Sequence, residues 1–332
     1  MAPSLRPAAL RDPYPHTPPL GPYVARRTAV LDTLSPQGPA GPMEVHAVGY
    51  DSVATGETAA VVGHATCRVR VDRWSRQVLD LTAMPETPAL ASLVGHSVAR
   101  GFRRRVRPLV PESEGAAGIL YQLLDDLPGA TVVATYVPIR AGVEPPDNDG
   151  LMVAPDLCAG WAEGGSMLQL VRETGRPVAI AGPAAPHAEA EPHTPHGHEL
   201  PSLPPHGMRR IRRIDVRDSG TSAIEIEAHF RDSHSDQEGH ETVLHEYRIT
   251  AAADADGRLT DITARPHVLP FPECPIAAAS TVRLIGAEFR GLRERIRTDF
   301  TGPSTCTHLN DMVRALEDVP ALAAYLRTPE AR

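Results

Sequence analysis

Apolar and polar residues alternate along "AIEIEAHF" at 223–230 and "VLHEYRITA" at 243–251. A period of two marks strands with one buried face, and "ADADG" at 253–257 reads as the turn into a further strand, "RLTDITA" at 258–264. The period then lengthens. Val282, Ile285, Phe289, Leu292, Ile296 and Phe300 recur three or four residues apart, which predicts one helix with an apolar stripe facing the core. Leu309, Met312, Val313 and Leu316 predict a second helix, ended by Pro320, and Leu120, Leu123, Leu124 and Leu127 predict a shorter counterpart ended by Pro128.

The same order of elements occurs twice. "MEVHAVGYDS" at 43–52 lies over "IEIEAHFRDS" at 224–233 at an offset of 181, which carries on to set His64 over His245. Beyond "VLPFPECPI" the offset becomes 190, and "RGFRRRVR" at 100–107 meets "RGLRERIR" at 290–297. So long a period signals a duplicated domain, since solenoid units are far shorter. The expected fold class is α+β: an internally duplicated domain, each copy an antiparallel meander plus two helices, the copies related by a pseudo-two-fold axis and burying their faces on each other. The expected organisation is a disordered Pro-rich N-terminus at 1–22 and a first copy at 23–140. An appended segment at 141–181 and a Pro- and His-rich linker at 182–207 then lead to a second copy at 208–326.

Composition narrows the chemistry. Lys is absent, so all 33 basic residues are Arg, which removes Schiff-base, phosphate-loop and Ser-Lys mechanisms. A net charge of -8 with only 4% aromatic residues argues against nucleic acid as a partner. No run is apolar enough to span a bilayer, and the first residues lack a signal-type apolar core, so the expectation is a cytoplasmic protein with no membrane partner. Cys67, Cys158, Cys274 and Cys306 are widely spaced, unlike a disulfide framework or a zinc ribbon. No G-x-S-x-G, G-x-G-x-x-G, H-E-x-x-H or phosphate-loop motif occurs, so no nucleotide cofactor is expected. The Arg clusters at 100–107, 290–297 and 209–213 could grip a carboxylate or phosphate through bidentate bonds, but read first as solvated faces of amphipathic helices.

The strongest chemical signal is "TGPSTCTHLNDMVRALEDVP" at 301–320, where Cys306 and His308 stand at a helix start. Free N–H groups and the dipole there favour a thiolate. Residues two apart do not face one another inside a helix, so His308 reaches Cys306 only if Cys306 precedes the helix proper. His245 on a neighbouring strand is the expected base, and Asp232 would fix its tautomer. The bland alternative is a buried thiol among capping and core residues. A metal alternative draws on Cys274 and His234 together with Cys306, His245 and His308, with Asp232 in reserve, and zinc is the metal such ligands would take.

The runs "PPHGMRRIRRIDV", "HFRDSHSD", "VLHEYRI", "PFPECP" and "CTHLND" resemble the bacterial proteins grouped as domain of unknown function 2889. "LLDDLPGA" and "DLCAGW" extend the resemblance to the longer members. It implies no activity. It does imply that Asp232, His245, Cys306 and His308 match the part of the family motif richest in reactive groups. The expected function is a small-molecule enzyme of hydrolase, lyase or isomerase type, using cofactor-free acid-base or thiol chemistry on an organic acid, ester or thioester. In that scheme Cys306 is nucleophile or acid, His245 the base, Asp232 its orienter and His308 a polariser of substrate oxygen. The alternatives are a non-catalytic ligand-binding or regulatory module and a metal-dependent hydrolase or lyase. The sequence leaves oligomeric state open.

Overall fold

The computed structural model describes residues 8–15, 17–56, 58–99, 101–110, 115–145, 154–186, 200–218 and 223–327. Its frame is one antiparallel sheet of nine strands: β1 (Ala8–Ala9), β2 (Val24–Leu34), β3 (Met43–Thr55), β4 (Thr58–Val71), β5 (Val78–Met84), β6 (Met208–Asp218), β7 (Ile224–Ser235), β8 (Glu241–Ala253) and β9 (Leu259–Leu269). Their order in space is β1-β9-β8-β7-β6-β2-β3-β4-β5. The α+β class holds. The two meanders do not bury their faces on each other, however; they join edge to edge where β2 runs antiparallel to β6 from Val24 opposite Arg217 to Thr33 opposite Met208.

The helices cover the sheet face that carries Ala25, Arg27, Ala29 and Leu31 of β2 and Arg210, Arg212, Ile214 and Val216 of β6. One apolar cluster lies under each meander. Leu31, Val45, Val69, Phe102, Leu120 and Leu127 belong to the first. Phe230, Tyr247, Ile249, Leu292, Leu309 and Leu316 belong to the second.

Three helix boundaries differ from the sequence pattern, each for a local reason. The stripe from Val282 to Phe300 is two elements, a 3₁₀ segment at Cys274–Leu284 and α5 (Leu292–Asp299). Gly286 and Gly291 adopt φ of 80° and 85° between them, which stops a right-handed helix and leaves Val282 and Ile285 exposed. The helix expected to stop at Pro128 runs on as α2 (Gly115–Val133), and the Thr131 hydroxyl donates to the Leu127 carbonyl one turn back. Pro320 opens α7 (Val319–Leu326) instead of closing α6 (Thr307–Arg314), because a proline's missing N–H is harmless in a first turn. The remaining helices are α1 (Phe102–Val106), α2's neighbour α3 (Tyr136–Arg140) and α4 (Ser166–Thr174).

The Arg-rich run at 209–213 is strand β6, with arginines buried on both faces. On the outer face, Arg209 pairs in two-pronged fashion with Asp32, at 2.7 and 2.8 Å, and Arg26 pairs likewise with Asp215, at 2.6 and 2.8 Å. On the helical face the seam between the apolar clusters is ionic. Arg27 grips Asp51 at 2.6 and 2.7 Å and reaches Asp318 at 3.0 Å. Arg210 grips Asp232 at 2.8 and 3.0 Å, Asp311 at 3.1 Å and Asp126 at 3.8 Å. Arg212 holds Asp126, Arg103 spans Asp125 and Asp311, and Arg314 holds Asp125. Burial alone would raise the Asp311 carboxyl, but Arg103, Arg210, Arg314 and Arg212 hold it down at about 2. Gly129 admits this network to the helix: a Cβ there would lie 2.3 Å from both Arg210 Nη1 and Asp311 Oδ2.

The Pro-rich N-terminus, expected to be disordered, docks on the outer face over residues 8–15 and 17–22. β1 pairs with the end of β9, the Tyr14 N–H donates to Glu246 at 2.9 Å, and Arg248 lies 4.3 Å over the Tyr14 ring. The linker's first residues also have a place, since Pro183 accepts from the Val243 N–H and Ala184 bridges to Thr242 at the start of β8. Its histidines at 193, 196 and 198, with His187, lie outside the described residues, as do residues 1–7.

Arg27→Met leaves the Asp51 carboxylate buried with no cation and leaves Asp318 to Arg293 alone. The expected loss is about 3–5 kcal/mol of unfolding free energy, read as a fall in urea midpoint at unchanged slope.

Candidate functional site

The strand pair β7/β8 carries a bulge beside Asp232. Asp232 lies opposite His245, but Ser233 lies opposite Val243, so Leu244 is the extra residue. That places Asp232 and His245 side by side on the helical face, where α6 begins. Cys306 is the extended residue before α6, with φ −133° and ψ 128°, and its carbonyl accepts the Asn310 N–H. It precedes the helix proper, so Cys306 Sγ and His308 Nδ1 approach to 3.8 Å despite their spacing of two.

Three donor atoms converge there. His245 Nδ1 and His308 Nε2 each lie 3.8 Å from Asp232 Oδ2. The imidazoles stack, with centroids 3.5 Å apart and planes at 17°. One nitrogen of each ring, with the Asp232 carboxylate, forms a set of possible ligand atoms within 4.8 Å of one another. His245 Nδ1 is buried and has no hydrogen-bond partner. Burial, the neighbouring His308 and Arg210 hold His245 well below its ordinary value against the pull of Asp232. Burial and Arg210 likewise hold His308 at about 3. Both rings are therefore neutral at pH 7, consistent with a face-to-face stack that two imidazolium ions would resist.

Of the expected catalytic set, Asp232, His245, His308 and Cys306 are brought together, but in a different order of contact. The imidazole beside the thiol is His308, while His245 faces Asp232 and stacks on His308. Burial pushes the Cys306 thiol up, and the Leu309 and His308 N–H groups with the Tyr247 hydroxyl only partly oppose it. The helix start therefore does not yield a resting thiolate.

The alternative ligands, His234 and Cys274, are not in the converging set. His234 is buried against the Tyr136 ring, with centroids 5.1 Å apart, and burial holds it at about 4. Cys274 is buried beside Gly160, where a Cβ would come within 2.8 Å of its Sγ. Asp232 and His234 lie in β7, and Asp236 beyond them closes the following turn by accepting from the N–H groups of Glu238 and His240.

The alignment of His64 with His245 is one residue out of register. Gly63, not His64, lies opposite Asp51, and His64 pairs with Tyr50 and stacks on its ring at 4.6 Å. A one-residue slip sends a strand side chain to the other face. Ile119 fills the space over Gly63, and a Cβ on that glycine would lie 3.0 Å from Ile119 Cδ1.

The residue that sequence reading missed is Arg210, which fixes both oxygens of Asp232, together with Asp311 and Asp126 behind it. The run "RRIRR" signalled charge, but nothing in it marked which arginine faces inward.

Residues 208–322 match the family described as protein of unknown function (DUF2889). Asp232, His245, Cys306, His308, Arg210 and Asp311 all fall within the DUF2889 segment, whereas Asp126, which Arg210 and Arg212 also hold, falls outside it. No curated protein and no solved structure matches the chain. Among the described residues no helix is long and apolar enough to cross a membrane.

Iodoacetamide should label Cys306 in the native protein at least about 100-fold more slowly than in urea at pH 7.5, measured by peptide mass spectrometry. Comparable native and unfolded rates would restore the reactive thiolate. The histidines also fix a pH dependence. Their folded values lie below the unfolded value near 6.5, so the unfolded chain binds more protons between the two. Stability is full above about pH 6.5 and falls by up to about 1.4 kcal/mol per pH unit for each such histidine toward pH 4. Urea titrations should show a shallower fall in the His245→Gln, His308→Gln double variant.

Proposed function

We propose that Asp232, His245 and His308 hold a divalent metal ion and that the protein is a metal-dependent hydrolase or lyase acting on a small organic substrate. The observation that carries this reading is the convergence of two neutral imidazole nitrogens on one carboxylate oxygen with no hydrogen bond between them, one of the nitrogens being buried and unpartnered. Separations of 3.8 Å are a few tenths of an ångström wider than the roughly 3.3 Å between ligands about 2.0 Å from a tetrahedral zinc. Arg210 is not an obstacle, because it takes one lone pair on each Asp232 oxygen and leaves the second on Oδ2 to a cation on the other side. Two histidines and one carboxylate leave ligand positions open, the pattern of catalytic rather than structural sites. A metal there would supply an activated water or polarise a substrate oxygen. Arg210 holds the carboxylate in position, and His245 would turn out of its 3.5 Å stack on His308 so that the in-plane lone pairs of both rings reach one ion.

Cofactor-free thiol chemistry is less well supported, because the Cys306 thiol is raised and buried. Four free cysteines favour a reducing compartment, which supports a cytoplasmic location.

We further infer that the chain is an internal duplication with a pseudo-two-fold axis between β2 and β6. Arg26 with Asp215 and Asp32 with Arg209 are reciprocal contacts, the form expected of an isologous interface. Arg27 with Asp51 repeats Arg210 with Asp232, and Gly101 and Gly291 precede corresponding helices with the same left-handed conformation. On this reading Gly63 and Ile119 of the first copy stand where His245 and His308 stand in the second, so one copy alone carries the centre.

Tag-free protein purified without chelators should contain about one zinc or similar ion per chain, lost in His245→Ala and His308→Ala but retained in His64→Ala. Metal-free wild type that also fails to take up added zinc or cobalt would reject the metal centre and favour a ligand-binding module.

A further inference from the structure

We infer that Cys306 is a positioning residue for His308: its sulfur pairs with Nδ1 and receives the Nδ1 proton when Nε2 is offered to a metal ion, and it is neither a metal ligand nor a nucleophile. The inference rests on the metal reading above and gives a role to the thiol which that reading leaves unused.

The two nitrogens of His308 have different neighbours. Nε2 faces Asp232 Oδ2 at 3.8 Å, and Nδ1 faces Cys306 Sγ at 3.8 Å. A ring that offers Nε2 to a metal must carry its proton on Nδ1, and the group that receives that proton fixes both tautomer and orientation. Cys306 occupies that position. It cannot bind the same ion through the same pose, because its sulfur lies at the opposite edge of the imidazole from Nε2. The set of converging ligand atoms accordingly includes Asp232, His245 and His308 without Cys306.

A thiol suits this position because it is both a weak donor and a weak acceptor. With no ion bound, the Asp232 carboxylate favours a proton on Nε2, and the Cys306 S–H donates to Nδ1. With an ion bound, one proton leaves Nε2 for solvent and one arrives at Nδ1 from solvent. His308 stays neutral, no net proton is released, and the S–H turns so that sulfur accepts from Nδ1–H. The backbone keeps the sulfur in place. Thr305 donates its N–H and hydroxyl to the Gly302 carbonyl, the Ala159 N–H donates to the Thr305 carbonyl, and the Asn310 amide ties the α6 start to Phe300.

The test compares wild type, Cys306→Ser, Cys306→Ala and Cys306→Val, the last filling the thiol's volume without an S–H should the alanine variant not fold. Serine keeps both donor and acceptor; alanine and valine keep neither. Cobalt(II) affinity by competition with a chelator should fall about 10–100-fold in the alanine or valine variant and stay within a few-fold of wild type in the serine variant. Cobalt-loaded wild type should show no thiolate-to-cobalt charge-transfer absorption. Nitrogen-15 spectra of the histidine rings should show the His308 tautomer ratio altered by alanine or valine and preserved by serine. A charge-transfer band would make Cys306 a ligand and overturn the inference. Unchanged affinity and tautomer ratio in the alanine or valine variant would overturn it as well. Wild type that binds no cobalt would reject the metal centre, and the tautomer comparison on the metal-free proteins would still decide the role of Cys306.

Discussion

The structure depends on burying arginine guanidinium groups at the centre of its sheet. Arg27, Arg210 and Arg212 sit where a β-sheet under helices would ordinarily carry Val or Ile, and each of them is almost wholly buried. Taking such charges out of water costs several kcal/mol per ion unless carboxylates surround them. The helices are therefore placed by their acids as much as by their apolar stripes. α2 brings Asp125 and Asp126, α6 brings Asp311, and the turn before α7 brings Glu317 and Asp318. A planar guanidinium can grip one carboxylate with two parallel bonds and still donate to others, a fork that lysine lacks, and a chain built on this seam has reason to use arginine.

The seam also explains the setting of the candidate centre. Asp232 is fixed by Arg210 on one side and meets two imidazoles on the other, so its position is set by the fold and not by a ligand. His245 arrives through a bulge in β8, and His308 through the first turn of a helix whose Asp311 is anchored in the same network. Rigid elements thus deliver all three groups, and the supporting contacts lie directly behind them.

The class and strand content were legible in the sequence because period two survives wherever one face is apolar, as in "AIEIEAHF" and "VLHEYRITA". β6 was not legible. "MRRIRRIDVRD" has arginines on both faces, and a hydrophobicity pattern cannot report a strand whose burial is secured by ion pairs from distant acids. The single helix read across Val282 to Phe300 failed because apolar spacing carries no information on φ at Gly286 and Gly291. Within the centre, residue types were legible and contacts were not. The match of His64 to His245 looked continuous by sequence, yet both strand pairs carry the same bulge and the second hairpin is one residue longer, from Asp232 to His245 against Asp51 to Gly63, and one position of pleat separates a histidine beside Asp232 from one on the outer face. The pairing of Cys306 with His308 turned on whether the cysteine precedes the helix, which only the backbone reveals.

The ion pairs across the seam bear on how the protein can be made on the ribosome. Arg27 emerges long before one of its two carboxylates, Asp318, which lies just ahead of α7. Likewise Asp126 of α2 waits for Arg210 and Arg212, and Asp125 for Arg314. The N-terminal half therefore leaves the exit tunnel with β2 exposed as an unpaired edge and with buried-type charges still solvated. Its apolar core can collapse early, but that edge of β2 stays unpaired until β6 has emerged, and the candidate centre assembles only after α6 has followed.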